Sequence, residues 1–211
     1  MIKVLLVDDH ELVRTGIESL LNSAIDVTVI GIASNGEEAI NAVNKLNPDI
    51  VMMDVNMPGI GGIEACRRLV QQHPKIKVIA LSMYNDGPIP QQLLTVGAKG
   101  LLCKNSPVND MLDAIRQVMA DKRYICPEVA NNMVLSSLSG NEKSPFEKLS
   151  QREMEVAMLT LQGKSIQNMA NLLAVSDKTI NSYRYRIYDK LSVNNDVELT
   201  KLAVKYHFID P

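Results

Sequence analysis

The chain is poor in cysteine, in long apolar runs and in net charge. Its three cysteines, Cys66, Cys103 and Cys126, are odd in number and widely spaced, and none forms a CxxC. That excludes a disulfide-built fold and reads as reduced thiols in a cytoplasmic protein. No apolar run approaches the roughly 18 residues needed to cross a bilayer, so no membrane span is expected. The first residues lack the charged, apolar, small-residue layout of a secretory leader, because Asp8 and Asp9 interrupt the apolar run. The net charge of −2 does not by itself point to nucleic acid. With 46% hydrophobic and 22% charged residues, the 211-residue chain has the composition of an ordinary globular protein of one or two domains.

What is present has two distinct halves. Across residues 1–120 short apolar runs recur at 3–7, 27–33, 50–53, 78–81 and 100–103, each read as a strand buried on both faces. Between them apolar residues return at three- and four-residue spacing: Leu12, Val13, Gly16, Ile17, Leu20 and Leu21; Ala39, Ile40, Val43 and Leu46; Ile63, Cys66, Leu69 and Val70; Leu112, Ile115, Val118 and Met119. The pattern predicts five βα units and an α/β, doubly wound parallel sheet. Residues 121–148 begin a helix at Pro127 and fade into Ser, Gly, Asn and Pro at 136–145, the composition of a linker. Residues 149–211 read as helices only. Ser150 with Glu153 forms a capping box, and Gly163 stops the helix it opens. Ser165 starts a short helix, Ser176 caps another, and Asn195 or Asp196 opens the last. The tight "LAVS" turn gives the middle pair a helix-turn-helix shape.

The stretch "KVLLVDDHEL" drives four buried residues into two adjacent carboxylates. In an open α/β sheet the carboxyl ends of the strands at the topological switch point form the ligand crevice. Asp8 and Asp9 leave the first strand there, and Asp54 leaves the third. Ser82 ends the fourth and Lys104 the fifth. Three carboxylates in one crevice repel, and a hard cation such as Mg²⁺ relieves them while leaving room for a phosphate. A carboxylate beside such a cation is a competent nucleophile toward phosphorus, with Lys104 neutralising charge and Ser82 donating to a phosphoryl oxygen. His10 reads as a helix start, and His73 and His207 lack partners at metal spacing. Cys103 reads as a buried strand thiol and Met52, Met53, Met154, Met158 and Met169 as core filling.

The second constellation is "VSDKTINSYRYRIYDKL". As a helix it gathers Ile180, Arg184, Ile187 and Leu191 on one side, and Lys178, Asn181, Ser182, Tyr185 and Arg186 on the other. Residues 178–190 carry four basic residues against one acidic. A helix of this kind suits a major groove, whose base edges present donors and acceptors.

The pieces "VDDH", "MDVNMPGIGG", "LS" and "GAKGLLCK" resemble a flavodoxin-like (βα)5 response-regulator receiver domain. The pieces "LSQREMEVAMLTLQGKS", "NMANLLAVSDKTINSYRYRIYDKL" and "DVELTKLAVKYHFI" resemble the helix-turn-helix of NarL/FixJ (LuxR-type) regulators, and "PFEKLSQRE" and "DVELT" a GacA/UvrY-like branch. The resemblance implies Asp54 as phosphoacceptor with Ser82 and Lys104. It implies Mg²⁺ held by Asp9, Asp54 and the main-chain carbonyl of Asn56, with Asp8 acting through a water. Pro58, Gly59, Gly61 and Gly62 would shape the adjoining loop. Leu101 stands where receivers often carry Tyr or Phe, and Asn105 where a proline often follows the lysine. In the second half Asn181, Ser182 and Tyr185 would approach base edges, with Gln167, Lys178, Thr179, Arg186 and Lys190 near phosphates. The expected protein is a cytoplasmic transcription regulator in three parts: 1–120 receiver, 121–148 linker, 149–211 DNA-binding domain. A sensor histidine kinase or phosphotransfer domain would phosphorylate it, and it would pair as a homodimer on a two-fold promoter site, possible targets including small regulatory RNA genes. It is expected to be no enzyme beyond phosphoryl transfer to, and slow hydrolysis from, its own aspartate. The alternative is an auxiliary DNA-binding partner that acts without phosphorylation.

Overall fold

The computed structural model describes residues 1–83, 88–138, 144–173, 175–206 and 208–209. Ala174 of the "LAVS" turn, residues 139–143 of the Ser/Gly stretch and His207 lie outside them. The chain divides into two compact units, Met1–Met133 and Val134–Pro211.

The first unit alternates strands β1 (Ile2–Val7), β2 (Val27–Ala33), β3 (Ile50–Asp54), β4 (Lys77–Ser82) and β5 (Gly100–Cys103) with helices α1 (Glu11–Asn22), α2 (Gly36–Leu46), α3 (Gly61–Gln72), α4 (Pro88–Val96) and α5 (Val108–Met119). These five strands pair in parallel, in the order β2-β1-β3-β4-β5. β1, β3 and β5 bury nearly every side chain, as runs sandwiched between two helical layers must. β2 departs from the expected burial on both faces. It is an edge strand, and Ile32 is half exposed. α1 buries Ile17 and Leu21 but leaves Leu12 in solvent. Asn35 caps α2 by accepting from the Glu38 amide at 2.8 Å.

A sixth strand, β6 (Tyr124–Ile125), lies where the sequence reading placed linker. Gly100 pairs with Tyr124 and Leu101 with Ile125. Two residues are too few to show a period, so only the fold exposes this strand. Cys126 and Val129 behind it are buried. Helix α6 (Pro127–Leu138) begins with the expected proline. The division between the units falls inside it, a few residues ahead of the Ser/Gly stretch.

In the second unit a short 3-10 turn (Pro145–Lys148) precedes α7 (Gln151–Leu161), α8 (Ile166–Leu173), α9 (Asp177–Leu191) and α10 (Asp196–Lys205). The Ser150–Glu153 capping box forms in full, and Gly163 turns the chain at φ +71°. Ser176 accepts from the Thr179 amide, and Asn195 from the Glu198 amide. The core gathers Met154, Ala157, Met169, Leu173, Ile180, Ile187, Leu191 and Leu199. Val197, in the first turn of α10, is 64% exposed.

Phe146 and Phe208 close this small core from its two chain ends. Both are buried, and their rings stack with centroids 4.3 Å apart. Phe146→Ala removes a buried ring and leaves a cavity, so the second unit should lose about 3–5 kcal/mol of stability, read by denaturant unfolding. A loss under about 1 kcal/mol would mean that the stacked pair is peripheral to the core.

Candidate functional site

β1 sits between β2 and β3, so the connections leave it on opposite faces of the sheet and open a crevice at the carboxyl ends of β1 and β3. Asp8 follows β1 and Asp54 ends β3, and both are buried. Asp9 and His10 are exposed at the rim. Ser82 ends β4, buried, and Lys104 follows β5 with its side chain 10% exposed. The Lys104 amide donates to the Ser82 carbonyl at 2.9 Å, which ties the ends of β4 and β5.

Lys104 Nζ lies 2.7 Å from Asp54 Oδ2 and 2.8 Å from Asp8 Oδ2. The contact to Asp54 is a well-directed hydrogen bond. The one to Asp8 is an ion pair by distance, but Asp8 Oδ2 receives no aligned hydrogen bond. A buried carboxylate oxygen thus retains accepting capacity toward the crevice. Asp54 Oδ1 accepts from the Asn56 amide at 3.0 Å. Asp8 Oδ1 accepts from the His10 amide at 2.8 Å. The His10 ring, assigned to a helix start, also stands against both carboxylates: Nδ1 is 3.3 Å from Asp8 Oδ1 and 2.9 Å from Asp9 Oδ1. Arg14 holds the Asp8 main-chain carbonyl at 2.5 Å. Sequence reasoning did not find Arg14; its signal was only its place one turn into α1.

One oxygen or ring nitrogen from each of Asp8, Asp9, His10 and Asp54 falls within 4.8 Å of the others. Hard carboxylate oxygens in such a set fit a hard divalent cation. The loop beyond β3 is pinned by a close approach at Gly62. A Cβ there would stand 2.1 Å from the Asp54 carbonyl oxygen, so only glycine fits. Gly59 and Gly61 adopt positive φ in the same loop.

Burial pushes the Asp54 carboxyl up from 3.8 to about 6, against the opposing pull of Lys104 and the Asn56 amide. Burial also presses on the Lys104 ammonium, but its contacts with the Asp54 and Asp8 carboxylates outweigh this and raise it above its ordinary value. At neutral pH both groups are therefore charged. Asp54 remains ionised only at a cost of roughly 3 kcal/mol.

In the second unit the outward face of α9 carries Lys178, Asn181, Ser182, Tyr185 and Arg186, all exposed, with Tyr185 at 80%. Thr179 is half-buried, its hydroxyl 2.8 Å from that of Ser176, and Gln167 is exposed near the start of α8. The Ser182 hydroxyl donates to the Lys178 carbonyl at 2.9 Å, so outward it offers lone pairs. The Arg186 guanidinium lies over the Tyr183 ring at 5.3 Å. Lys190 differs from the others. Its ammonium is held at 2.6 Å by buried Glu153 and at 3.2 Å by the Lys148 carbonyl, inside its own unit. Arg184, grouped by sequence with the apolar side, bridges Tyr188 and Asp196 and fastens α9 to the start of α10.

The family described as "Response regulator receiver domain" matches residues 4–116, and "Bacterial regulatory proteins, luxR family" matches residues 147–203. The response regulator GacA of Pseudomonas protegens is 46% identical over 210 residues, covering 100% of this chain and 99% of its own. The response regulator UvrY of Escherichia coli K12 is 41% identical over 207 residues, covering 98% and 95%. Among solved structures, RcsB of Salmonella enterica serovar Typhimurium, bound to promoter P1flhDC with the phosphomimetic BeF₃⁻, aligns with a TM-score of 0.78. It is 26% identical, covering 97% of this chain and 98% of that one. No helix among the described residues is long and apolar enough to cross a membrane.

The raised Asp54 carboxyl yields a stability prediction for the metal-free chain. A folded value above the unfolded one gives stability that is complete below 3.8 and lost as pH rises through about 6. Asp54→Asn removes that loss, so the variant should exceed the parent by about 3 kcal/mol at pH 7 and match it near pH 4 in urea unfolding. A gap that does not change with pH would refute the burial cost.

Proposed function

We propose a phosphate-controlled DNA switch for this chain, which belongs to the two-component response regulators that join a receiver domain to a LuxR-type DNA-binding domain. As a member it is a DNA-binding transcription regulator, and the proposal concerns the residues that operate it. The observation that carries the reading is the convergence of Asp8, Asp54 and Lys104 at the ends of three different strands.

Asp54 is the acceptor in this reading. Its ionised carboxylate attacks the phosphorus of a donor histidine phosphate, on a sensor kinase or phosphotransfer domain. The O–P bond forms as the N–P bond breaks, and the donor imidazole leaves with the electron pair. Lys104, already charged at Asp54, follows the arriving phosphoryl oxygens, and the Ser82 hydroxyl donates to one of them. Asp9, Asp54 and the Asn56 carbonyl would hold Mg²⁺, with Asp8 assisting through water; when bound, the ion neutralises charge on the phosphoryl group. Its oxygen-rich donor set and the unfilled accepting capacity of buried Asp8 support that assignment. The phosphoryl group brings roughly two negative charges to a crevice in which Lys104 already faces Asp8 and Asp54. The ends of β4 and β5 reorganise with Ser82 and Lys104, and the face made by α4, β5 and α5 changes.

Downstream, α9 enters a major groove. Asn181, Ser182 and Tyr185 meet base edges, while Lys178, Thr179, Arg186 and Gln167 meet phosphates. We assign Lys190 to bracing α9 against α7 rather than to a phosphate, because Glu153 and Lys148 hold it. The exposed Val197 supports α10 as the surface that pairs two protomers on a two-fold site. The extensive likeness to GacA and UvrY favours genes for small regulatory RNAs as targets, and a cytoplasmic location.

The first test is promoter binding by the full chain with and without a small-molecule phosphodonor. The parent should bind more tightly with the donor, and Asp54→Asn should show no response. Equal affinity in all four conditions would remove phosphorylation from control and leave an auxiliary DNA-binding role. The second test separates readout from positioning. Arg186→Ala should weaken all sequences alike and lower the salt slope by about 1, whereas Asn181→Ala should cost about 1–3 kcal/mol on the preferred site only. Sequence-selective loss from Arg186→Ala would reverse those roles.

A further inference from the structure

Two thiols far apart in sequence meet beside the crevice. Cys103 ends β5, one residue before Lys104, and Cys126 follows β6 directly. The register sets Leu101 opposite Ile125, so Cys126 enters level with Leu102, one residue before Cys103, and its amide donates to the Leu101 carbonyl at 2.9 Å. Their sulfurs are 3.0 Å apart, and each residue is 3% exposed. That is closer than the roughly 3.5–4.0 Å at which even carbon atoms rest against one another. An S–S bond requires about 2.05 Å, so a further approach of about 1 Å completes it. A third group joins them. The Cys103 thiol donates to Glu128 Oε2 at 3.6 Å, and Glu128 is exposed on the first turn of α6. The chain of contacts leads from a buried sulfur pair to a solvated carboxylate and gives a departing proton an exit. Cys66, buried alone on α3, has no such neighbour among the cysteines.

We propose that Cys103 and Cys126 form a modification site, a dithiol that hydrogen peroxide converts to an intrachain disulfide. Cys103 passes its proton toward Glu128, and the thiolate attacks one peroxide oxygen. The O–O bond breaks, one water leaves, and Cys103 becomes a sulfenic acid. Cys126 sulfur then attacks Cys103 sulfur, the S–O bond breaks, and a second water leaves. Two electrons pass from the sulfurs to the peroxide, and both thiol hydrogens end in water. Burial, then the neighbouring Cys126 and Glu128, hold the Cys103 thiol protonated well above its ordinary range, so the reaction waits on opening of the structure. β6 has two residues at the sheet edge, the kind of element that opens first. Once closed, the bond fastens β6 to the last residue before Lys104.

The experiment treats the folded full chain with hydrogen peroxide, then unfolds it in denaturant with iodoacetamide and reads intact mass and peptides. Alkylation should fall from all three cysteines to Cys66 alone, with a Cys103–Cys126 linked peptide that a thiol reductant dissolves. Cys66→Ser should form the same link. Cys103→Ser and Cys126→Ser should each abolish it, with circular dichroism showing that they fold and Cys126→Ala as the replacement should the serine variant fail. Three alkylated cysteines after treatment, links that include Cys66 as readily, or Cys103 oxidised only to sulfinic acid would each overturn the proposal.

Discussion

One ammonium between two buried carboxylates is the interaction on which the first unit's chemistry depends. Asp8 and Asp54 arrive from strands on either side of the switch point, and without Lys104 they would face each other as like charges in a low-dielectric crevice. The sheet compels the meeting. Parallel strands in consecutive register deliver their carboxyl ends to one edge, so three residues spaced across most of the unit become neighbours. Burial makes Asp54 costly to ionise, and Lys104 together with the Asn56 amide offsets part of that cost. Asp54 is thus a carboxylate kept charged against its surroundings.

The second unit is governed by a different constraint. Its four helices are short and its core is small, so polar fastenings at helix ends carry much of the specification. Ser150, Ser176 and Asn195 each satisfy an amide that the first helical turn would leave open. Arg184 anchors α10 to α9, and Lys190 anchors α9 to α7. The outward face of α9 is thereby left to Asn181, Ser182, Tyr185 and Arg186, none of which the core uses.

Strand and helix positions were legible wherever a period had room to show. The five long strands, the caps at Ser150 and Ser176 and the glycine stop at Gly163 are all written locally. The crevice was legible too, because strand-end residues can be placed on one edge by topology alone. β6 was not, since Tyr124 and Ile125 make no pattern. α4 gave no apolar set to the reader either. Pro88 and Pro90 stand in its first turn, where proline is tolerated, yet they suggest a break in sequence. The exposure of Ile32 and Val197 follows from which elements have a neighbour on each side, a fact of assembly rather than of composition. Contacts between distant side chains, such as Cys103 with Cys126 and Glu153 with Lys190, were invisible for the same reason.

Glu153 serves two masters with one carboxylate. Its Oε2 accepts from the Ser150 amide at 2.7 Å, closing the start of α7, and also from Lys190 at 2.6 Å, near the end of α9. Loosening either terminus withdraws a donor from the same oxygen. The start of α7 and the end of α9 are thereby joined through one oxygen, with the Lys148 carbonyl as a second acceptor for the same ammonium.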